Sequence, residues 1–343
     1  MRYIIPLLFS IFIFGTLTAA TPLKVVTTLT TYADIAKTIG GDKVEVTAIV
    51  AGNQDAHFVR PKPSYALLLK EADLFVTTGL DLELWASTLI DMSKNPRIRS
   101  GQPGYVAAAE GVALLDKPSA LSRSEGDLHI YGNPHITTNP LNFKTIAENI
   151  AIGLKNVSPQ NAALFEENLQ RFKREIDERT FGKKLVELLG GDLLTRLAQS
   201  GQLHSFLREK QFNGQPLAAY LGGWLQAGEN FYGQKIAAYH KNWTYFRQLF
   251  GLEIVGYVEP KPGIPPSPRH VEQLIEKMKR ENVRVVLAAN YFDEGKVRKI
   301  CNAVGARPVI VPLYVDPNAG IKNVFQLVDF WVEQLNSALS SQS

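Results

Sequence analysis

The chain has 343 residues, of which 45% are hydrophobic and 20% charged, a composition typical of a globular protein and not of a disordered one. Its net charge is only +4, and because no basic stripe stands out, the sequence gives no support for a nucleic-acid partner. The single cysteine, Cys301, excludes a disulfide framework within the chain.

The first 20 residues are typical of a cleavable signal peptide. Arg2 precedes an uncharged run from Ile4 to Gly15, and Thr18-Ala19-Ala20 suits cleavage after Ala20. The run is too short to span a bilayer comfortably. No cysteine near the cleavage site could carry a lipid anchor. We therefore expect an exported protein that is free in the periplasm.

Residues 21–156 are predicted to form a first α/β lobe, because β-branched runs alternate with helical patterns and so favour parallel strands. The predicted strands are 24–29, 43–50 and 73–77, and the predicted helices are 32–39, 64–72 and 82–92.

Residues 157–182 are predicted to form one long helix that links two halves of the chain. Ser158-Pro159 suits an N-cap followed by the first helical position. Beyond it, apolar residues such as Phe165, Leu169 and Phe172 recur at helical spacing opposite a charged face.

Residues 183–343 are predicted to form a second α/β lobe that begins with an elaboration at 183–233, where Leu-rich pieces alternate with Gly-rich ones and no role can be assigned. The fold class is therefore α/β, with two lobes that each contain a mainly parallel sheet flanked by helices. The predicted strands are 234–239, 252–258, 283–288 and 308–313, and the predicted helices are 241–250, 268–280, 292–304 and 324–338.

Three histidines and one aspartate stand where a predicted strand gives way to a polar loop: His57, His135, His240 and Asp316. Ligands of open α/β sheets gather at the carboxyl ends of the strands. Since two of these residues come from each half, we expect a site in the cleft between the lobes. Three imidazoles and a carboxylate can fill the tetrahedral shell that zinc prefers.

Two further residues remain open as ligands. His129 lies six positions before His135 and could replace or supplement it. Asp316 begins an Asp-Pro-Asn-Ala-Gly stretch that is also a good turn, so Glu259 is the alternative carboxylate.

Four motifs, in the right order, resemble those of the zinc- and manganese-binding solute receptors of bacterial ABC importers, the cluster A-I family. Asp55 to Ser64 resembles its Asp-Pro-His-x-x-Glu-Pro-x-Pro-Ser motif, and Asn133 to Pro140 its Asp-Pro-His-x-Trp-x-Asp-Pro motif. Tyr239 to Phe246, followed by Phe250-Gly251-Leu252, is similar to its His-x-x-x-x-Tyr-Phe and Tyr-Gly-Leu block, and Pro312 to Pro317 to its late acidic strand.

The resemblance implies a receptor that is not an enzyme. It would hold one divalent ion between two lobes and deliver it to an ABC importer permease in the inner membrane. The implied ligands are His57, His135, His240 and Asp316. Manganese-selective relatives carry a carboxylate at the third position, so His240 implies Zn²⁺ as the transported ligand, with Mn²⁺ as the alternative. We expect the receptor to be a monomer.

The sequence departs from the family pattern beside the ligands. It also lacks the long His-rich loop of many zinc receptors, because residues 116–129 carry one histidine. Affinity and selectivity are therefore less firmly implied than the ligands, since flanking residues orient ligands. The departures are Ala56, Arg60, Thr137 and Asn139 in place of proline, glutamate, tryptophan and aspartate.

Two other functions remain open. A secreted zinc hydrolase could use three histidines and an open position to activate water, although no His-Glu-x-x-His helix is present. A periplasmic zinc chaperone or adhesin-like module would need no permease, and neighbouring genes for a permease and an ATPase would separate it from a receptor.

Overall fold

A computed structural model describes residues 21–118, 129–259, 261 and 263–340, so the signal-peptide prediction for residues 1–20 lies outside the described residues. Within these ranges, no helix is both long enough and apolar enough to cross a membrane.

The first half contains a four-stranded, all-parallel sheet with strand order β2-β1-β3-β4. Its central strands are buried because helices cover the sheet, which accounts for their runs of Val, Leu and Phe. The three predicted strands are present, and a fourth, β4, comes from a short run that the strand pattern did not indicate. The elements are β1 (Leu23–Thr27), α1 (Thr30–Gly40), β2 (Val44–Ala48), α2 (Pro63–Lys70), β3 (Leu74–Thr77), α3 (Ala86–Ser93) and β4 (Tyr105–Ala107).

Two consecutive helices, α4 (Asn142–Val157) and α5 (Ala162–Phe181), follow the first sheet. The linking helix is therefore shorter at its start than predicted, because Ser158-Pro159 opens a separate 3₁₀ turn, Pro159–Asn161. Proline has no amide hydrogen to continue the preceding helix. The apolar stripe of α5 is buried as its spacing predicts, with Phe165 and Phe172 both within 2% of full burial.

The elaboration after α5 is mostly helical. Its helices α6 and α7 pack on α5, and β5 and β6 form an antiparallel hairpin. The elements are α6 (Lys183–Leu189), α7 (Gly191–Gln199), α8 (Leu203–Glu209), β5 (Gln211–Phe212), β6 (Gln215–Pro216) and α9 (Gly223–Ala227).

The second half contains another four-stranded, all-parallel sheet, with strand order β10-β9-β7-β8. In both sheets the first strand along the chain lies between the second and the third, and the fourth follows the third. The two sheets therefore share one topology. The elements are β7 (Lys235–Ala238), α10 (Thr244–Phe250), β8 (Glu253–Tyr257), α11 (Pro268–Arg280), β9 (Val285–Ala289), α12 (Glu294–Val304), β10 (Arg307–Val311) and α13 (Val324–Ser340).

One continuous hydrophobic core runs through both halves. It contains Phe143 of α4, Phe165 of α5, Phe246 of α10 and Trp331 of α13, all fully buried. Asp34 of α1 also links the two halves, because its carboxylate accepts a hydrogen bond from the amide of Val324 at the start of α13. The carboxyl ends of the two sheets are thereby held facing a common region.

Candidate metal centre

Three of the predicted site residues lie in loops that follow predicted parallel strands, and His135 lies farther from the strand that precedes it. His57 lies in a 3₁₀ turn, Ala56–Phe58, in the loop after β2. His240 follows β7 and Asp316 follows β10. His135 comes between β4 and α4, directly before a 3₁₀ turn.

The structure brings the three histidines together. Each of His57, His135 and His240 offers a ring nitrogen, and these three nitrogens all lie within 4.8 Å of one another. The ring centroid of His57 is 5.2 Å from that of His135 and 6.1 Å from that of His240. His135 and His240 are each only 2% exposed. Among the described residues, this is the one group of three or more potential ligands placed so closely.

An oxygen acceptor fixes the ring of each histidine. The Nδ1 of His57 donates to Asp55 Oδ1 at 2.7 Å, and the Nδ1 of His135 donates to Asn133 Oδ1 at 2.9 Å. The Nδ1 of His240 faces the backbone carbonyl of Glu259 at 3.3 Å. With Nδ1 carrying the hydrogen, each Nε2 keeps its lone pair for a metal ion.

The electrostatics keep the buried rings neutral. Burial, followed by the nearby His57, lowers the pKa of His240 to about 4. The same two causes, burial first, hold the pKa of His135 well below its usual 6.5. Burial acts to raise the pKa of Asp55, but the hydrogen bond and charge of His57 outweigh it and lower that pKa. At neutral pH no proton has to leave His135 or His240 before a metal binds.

The Nε2 atom of His135 is buried and has no hydrogen-bond partner among the described residues. Leaving a buried polar atom unpaired costs about 1–3 kcal/mol. A bound cation at the centre of the three rings would satisfy this atom, so the donor set fits a metal ion.

Asp316 is buried but lies outside the group of three histidines. Its side chain is 3% exposed, and its Oδ1 accepts a hydrogen bond from the amide of Asn318 at 3.1 Å, which caps the turn Pro317–Ala319. Gly52, in the loop after β2, approaches it closely: a Cβ added at Gly52 would lie 2.6 Å from the Cβ of Asp316. Its predicted role as a ligand stays a prediction.

The two residues that the sequence left open occupy different places. Glu259 lies behind His240, where its backbone carbonyl orients the ring and its Oε1 is 3.9 Å from Nδ1. His129 lies beside His57, with 3.3 Å between the two Nε2 atoms. Asp81 accepts from Nδ1 of His129 at 3.0 Å, a role that sequence reasoning missed. Its position shortly after the predicted strand 73–77 was the available signal.

Hydrogen bonds tie the two halves together next to the histidines. The Nδ2 of Asn133 donates to the carbonyl of Lys241 at 2.8 Å, and the hydroxyl of Tyr245 donates to the carbonyl of Asn133. The hydroxyl of Thr138 donates to the carbonyl of Asn242 at 3.0 Å. The loops that carry His135 and His240 therefore form one connected structure.

The chain matches the model of a protein family described as the periplasmic component A of zinc-uptake complexes, over residues 25–180 and 223–338. Residues 181–222 lie outside the match, whereas residues 223–233 of the predicted elaboration lie inside it.

Among curated proteins, a manganese ABC transporter substrate-binding lipoprotein, PsaA of Streptococcus mitis, is 32% identical over 46% of this chain and 48% of its own length. A PsaA protein of Streptococcus pneumoniae is 24% identical over 86% of this chain and 80% of its own length. The chain thus spans about half the length of the first of these relatives.

Among solved structures, a ZnuA deletion mutant with zinc bound has a TM-score of 0.68 at 22% identity, covering 94% of this chain and all of that one. A manganese-bound periplasmic metal-binding protein from Candidatus Liberibacter asiaticus has a TM-score of 0.62 at 17% identity, covering 92% of this chain and 98% of its own. At these identities the likeness concerns the fold.

Proposed function

The chain belongs to the family of periplasmic zinc-uptake components, and from this premise we propose that it is a high-affinity receptor for Zn²⁺. The observation that carries the proposal is the buried group formed by His57, His135 and His240. Each ring turns its Nδ1 toward an oxygen, which leaves its Nε2 lone pair available to an ion. Imidazole nitrogen at such spacing suits zinc.

Manganese is the second candidate, because the relatives named above are called manganese transporter proteins. Manganese prefers a shell rich in oxygen, whereas the three converging donors here are nitrogens. The donor chemistry therefore favours zinc over manganese. The histidine at position 240 favours zinc for the same reason, because it supplies a nitrogen where an oxygen ligand would suit manganese.

The receptor's setting is also part of the proposal. We infer that the protein acts in the periplasm after export, as a monomer, and passes its ion to an ABC importer permease in the inner membrane. The family description and the transporter names of the relatives support this role. In this role the histidines bind zinc as cargo, and the protein is not an enzyme.

Elemental analysis with native mass spectrometry of the purified protein tests the proposal. We expect one zinc per chain, lost in His57→Ala and in His240→Ala because each variant removes one of the converging nitrogens. His204→Ala is the matched control, since His204 packs on Tyr232 away from the site and its loss should leave the zinc in place. In competition with a chelator, zinc should bind at least about 100-fold more tightly than manganese. Retention of zinc in both site variants would refute the proposed receptor.

A further inference from the structure

A fourth histidine, His129, stands at the edge of the three-histidine group. Its Nε2 lies 3.3 Å from the Nε2 of His57, and its ring centroid is 5.3 Å from that of His57 and 5.7 Å from that of His135. These separations fall within the 5.2–6.1 Å range found among the other three rings. His129 thus belongs to the same ring cluster.

The contact between His57 and His129 is unfavourable for two neutral rings. Asp55 accepts from the Nδ1 of His57, and Asp81 accepts from the Nδ1 of His129. Each ring therefore carries its hydrogen on Nδ1, and two Nε2 lone pairs face each other at 3.3 Å. A shared cation removes this repulsion.

The distance between the two nitrogens matches a pair of zinc ligands. With Zn–N bonds of about 2.0–2.1 Å and tetrahedral angles, two ligating nitrogens lie about 3.3–3.4 Å apart. The observed separation is 3.3 Å. The same geometry places imidazole centroids about 5 Å apart, close to the separations of His129 from His57 and His135.

Asp81 holds His129 with both of its oxygens. Oδ1 accepts from the ring, and Oδ2 accepts from the backbone amide of Ile130 at 2.9 Å. The side chains of Asp81 and His129 are only 12% and 14% exposed. This carboxylate and imidazole repeat the arrangement of Asp55 and His57, which is the usual support of a metal-bound histidine.

Asp316 has a different use in the same structure. Its Oδ1 caps the turn Pro317–Ala319, whereas the Nε2 of His129 lies 3.3 Å from a ligand nitrogen of His57. A carboxylate that accepts a backbone amide is the ordinary N-cap arrangement, which needs no metal.

We propose that His129 is the fourth ligand, giving a site of four histidines in which Asp81 is the positioning residue. This inference rests on the proposed zinc receptor and specifies all four ligands of its metal coordination shell. A small movement of the His129 ring toward the centre completes the tetrahedron, because its Nε2 does not yet lie within 4.8 Å of all three other nitrogens. An all-nitrogen shell strengthens the preference for zinc over manganese.

Zinc affinity of matched variants, measured by chelator competition, tests the assignment. We expect His129→Ala to weaken binding by about 100-fold and Asp81→Asn by about 10-fold, since supporting residues typically contribute 10–100-fold. Asp316→Asn tests the competing ligand: asparagine keeps an oxygen for the Asn318 amide, so with four histidine ligands binding should change less than about threefold. His204→Ala, away from the site, is the control.

Zinc-edge X-ray absorption of the wild type supplies a direct count of ligands. We expect four imidazoles, falling to three in His129→Ala. Three imidazoles and a carboxylate oxygen in the wild type, or a loss in Asp316→Asn equal to that in His129→Ala, would overturn the four-histidine site while leaving the receptor proposal intact. Failure of His57→Ala and His240→Ala to lose zinc would instead defeat the receptor itself.

Discussion

Asn133 connects the chemistry of the site to the contact between the two halves. Its Oδ1 accepts both the amide and the Nδ1 of His135, at 3.0 and 2.9 Å. Its Nδ2 donates to the carbonyl of Lys241 and to the hydroxyl of Thr244. One buried amide therefore sets the tautomer of a proposed ligand and joins its loop to the loop of His240.

We expect Asn133→Ala to lower zinc affinity by about 10–100-fold, because the His135 ring loses its orienting acceptor. It should also lower the free energy of unfolding by about 1–3 kcal/mol, since buried partners are left unpaired. Zinc titration and urea denaturation of the metal-free protein measure the two effects. Asn133→Asp is the comparison variant: it keeps the acceptor for His135, but it removes the donor to Lys241 and places a second carboxylate beside Asp116, so it should keep more zinc affinity than Asn133→Ala without recovering stability. Equal losses of affinity in both variants would contradict the orienting role.

At the residue scale, sequence motifs identify the three histidines that the structure brings together, but not the pairing of Asp81 with His129. The three histidines lie in motifs of several adjacent residues, which can be recognised without a structure. The pairing joins residues 48 positions apart, and it depends on where the loops after β3 and β4 meet. The position of Asp81 after a predicted strand places it near the site, but it does not indicate that His129 is its partner.

Asp34 couples the helix α1 of the first half to α13 of the second. Burial raises the pKa of its carboxyl to about 6 from 3.8, although the amide of Val324 and the charge of Lys37 act to lower it. Because the folded-state pKa is the higher one, the folded protein holds this proton more tightly than the unfolded chain does. The resulting stabilisation is complete below about pH 4 and is lost as pH rises through about 6.

We therefore expect Asp34→Asn to raise the free energy of unfolding at pH 7.5 by about 1–3 kcal/mol, because it removes a buried charge and keeps an acceptor for Val324. At pH 4 the difference should vanish. Urea denaturation of the metal-free protein at both pH values measures this. Asp293→Asn is the control, since Asp293 is an exposed carboxylate that caps α12. Destabilisation of equal size at both pH values would show that the buried charge is not the cause.

At the element scale, periodicity predicts the regular helices and strands of the second half closely. The helix predicted over 268–280 is observed as Pro268–Arg280, because Ser267 caps it and Pro268 begins it. The strand β4 was not predicted, since Tyr105–Ala107 is too short to show an alternation. The helices of the elaboration were not predicted either, because glycines divide it into short segments. The packing of these segments depends on contacts with α5 that the sequence does not show.

The residues at the two ends of segment 183–221, Gly182 and Gly222, lie in contact with each other. The amide of Gly222 donates to the carbonyl of Phe181 at 2.8 Å, and a Cβ on Gly182 would lie 2.6 Å from the Cα of Gly222. Only glycine permits this approach, because Gly182 has a φ of +85° and no space for a side chain. The two matched parts of the family model end and resume close to this contact, at residues 180 and 223.

Residues of this segment cover a buried ion pair between the helices α4 and α5. Lys144 of α4, 5% exposed, donates to Asp177 of α5 at 2.7 Å and to Thr195 of α7 at 3.1 Å, with Asp192 at 3.4 Å. The segment thus covers a charge pair that joins the two central helices. Such a cover contributes to stability, because water weakens an exposed pair.

We expect deletion of residues 183–221, which joins Gly182 directly to Gly222, to lower the melting temperature while leaving zinc affinity within about threefold of the wild type. The physical reason is that the deletion uncovers the Lys144–Asp177 pair and part of α5, whereas the four histidines and their acceptors lie outside the deleted range. Calorimetry and zinc titration of the same sample measure the melting temperature and the zinc affinity.

A variant with Lys144→Met and Asp177→Leu in the deleted background should recover part of the lost stability, since apolar side chains can replace a buried pair. A folded deletion variant that no longer binds zinc would show that the added segment supports the site and not only the helices beneath it.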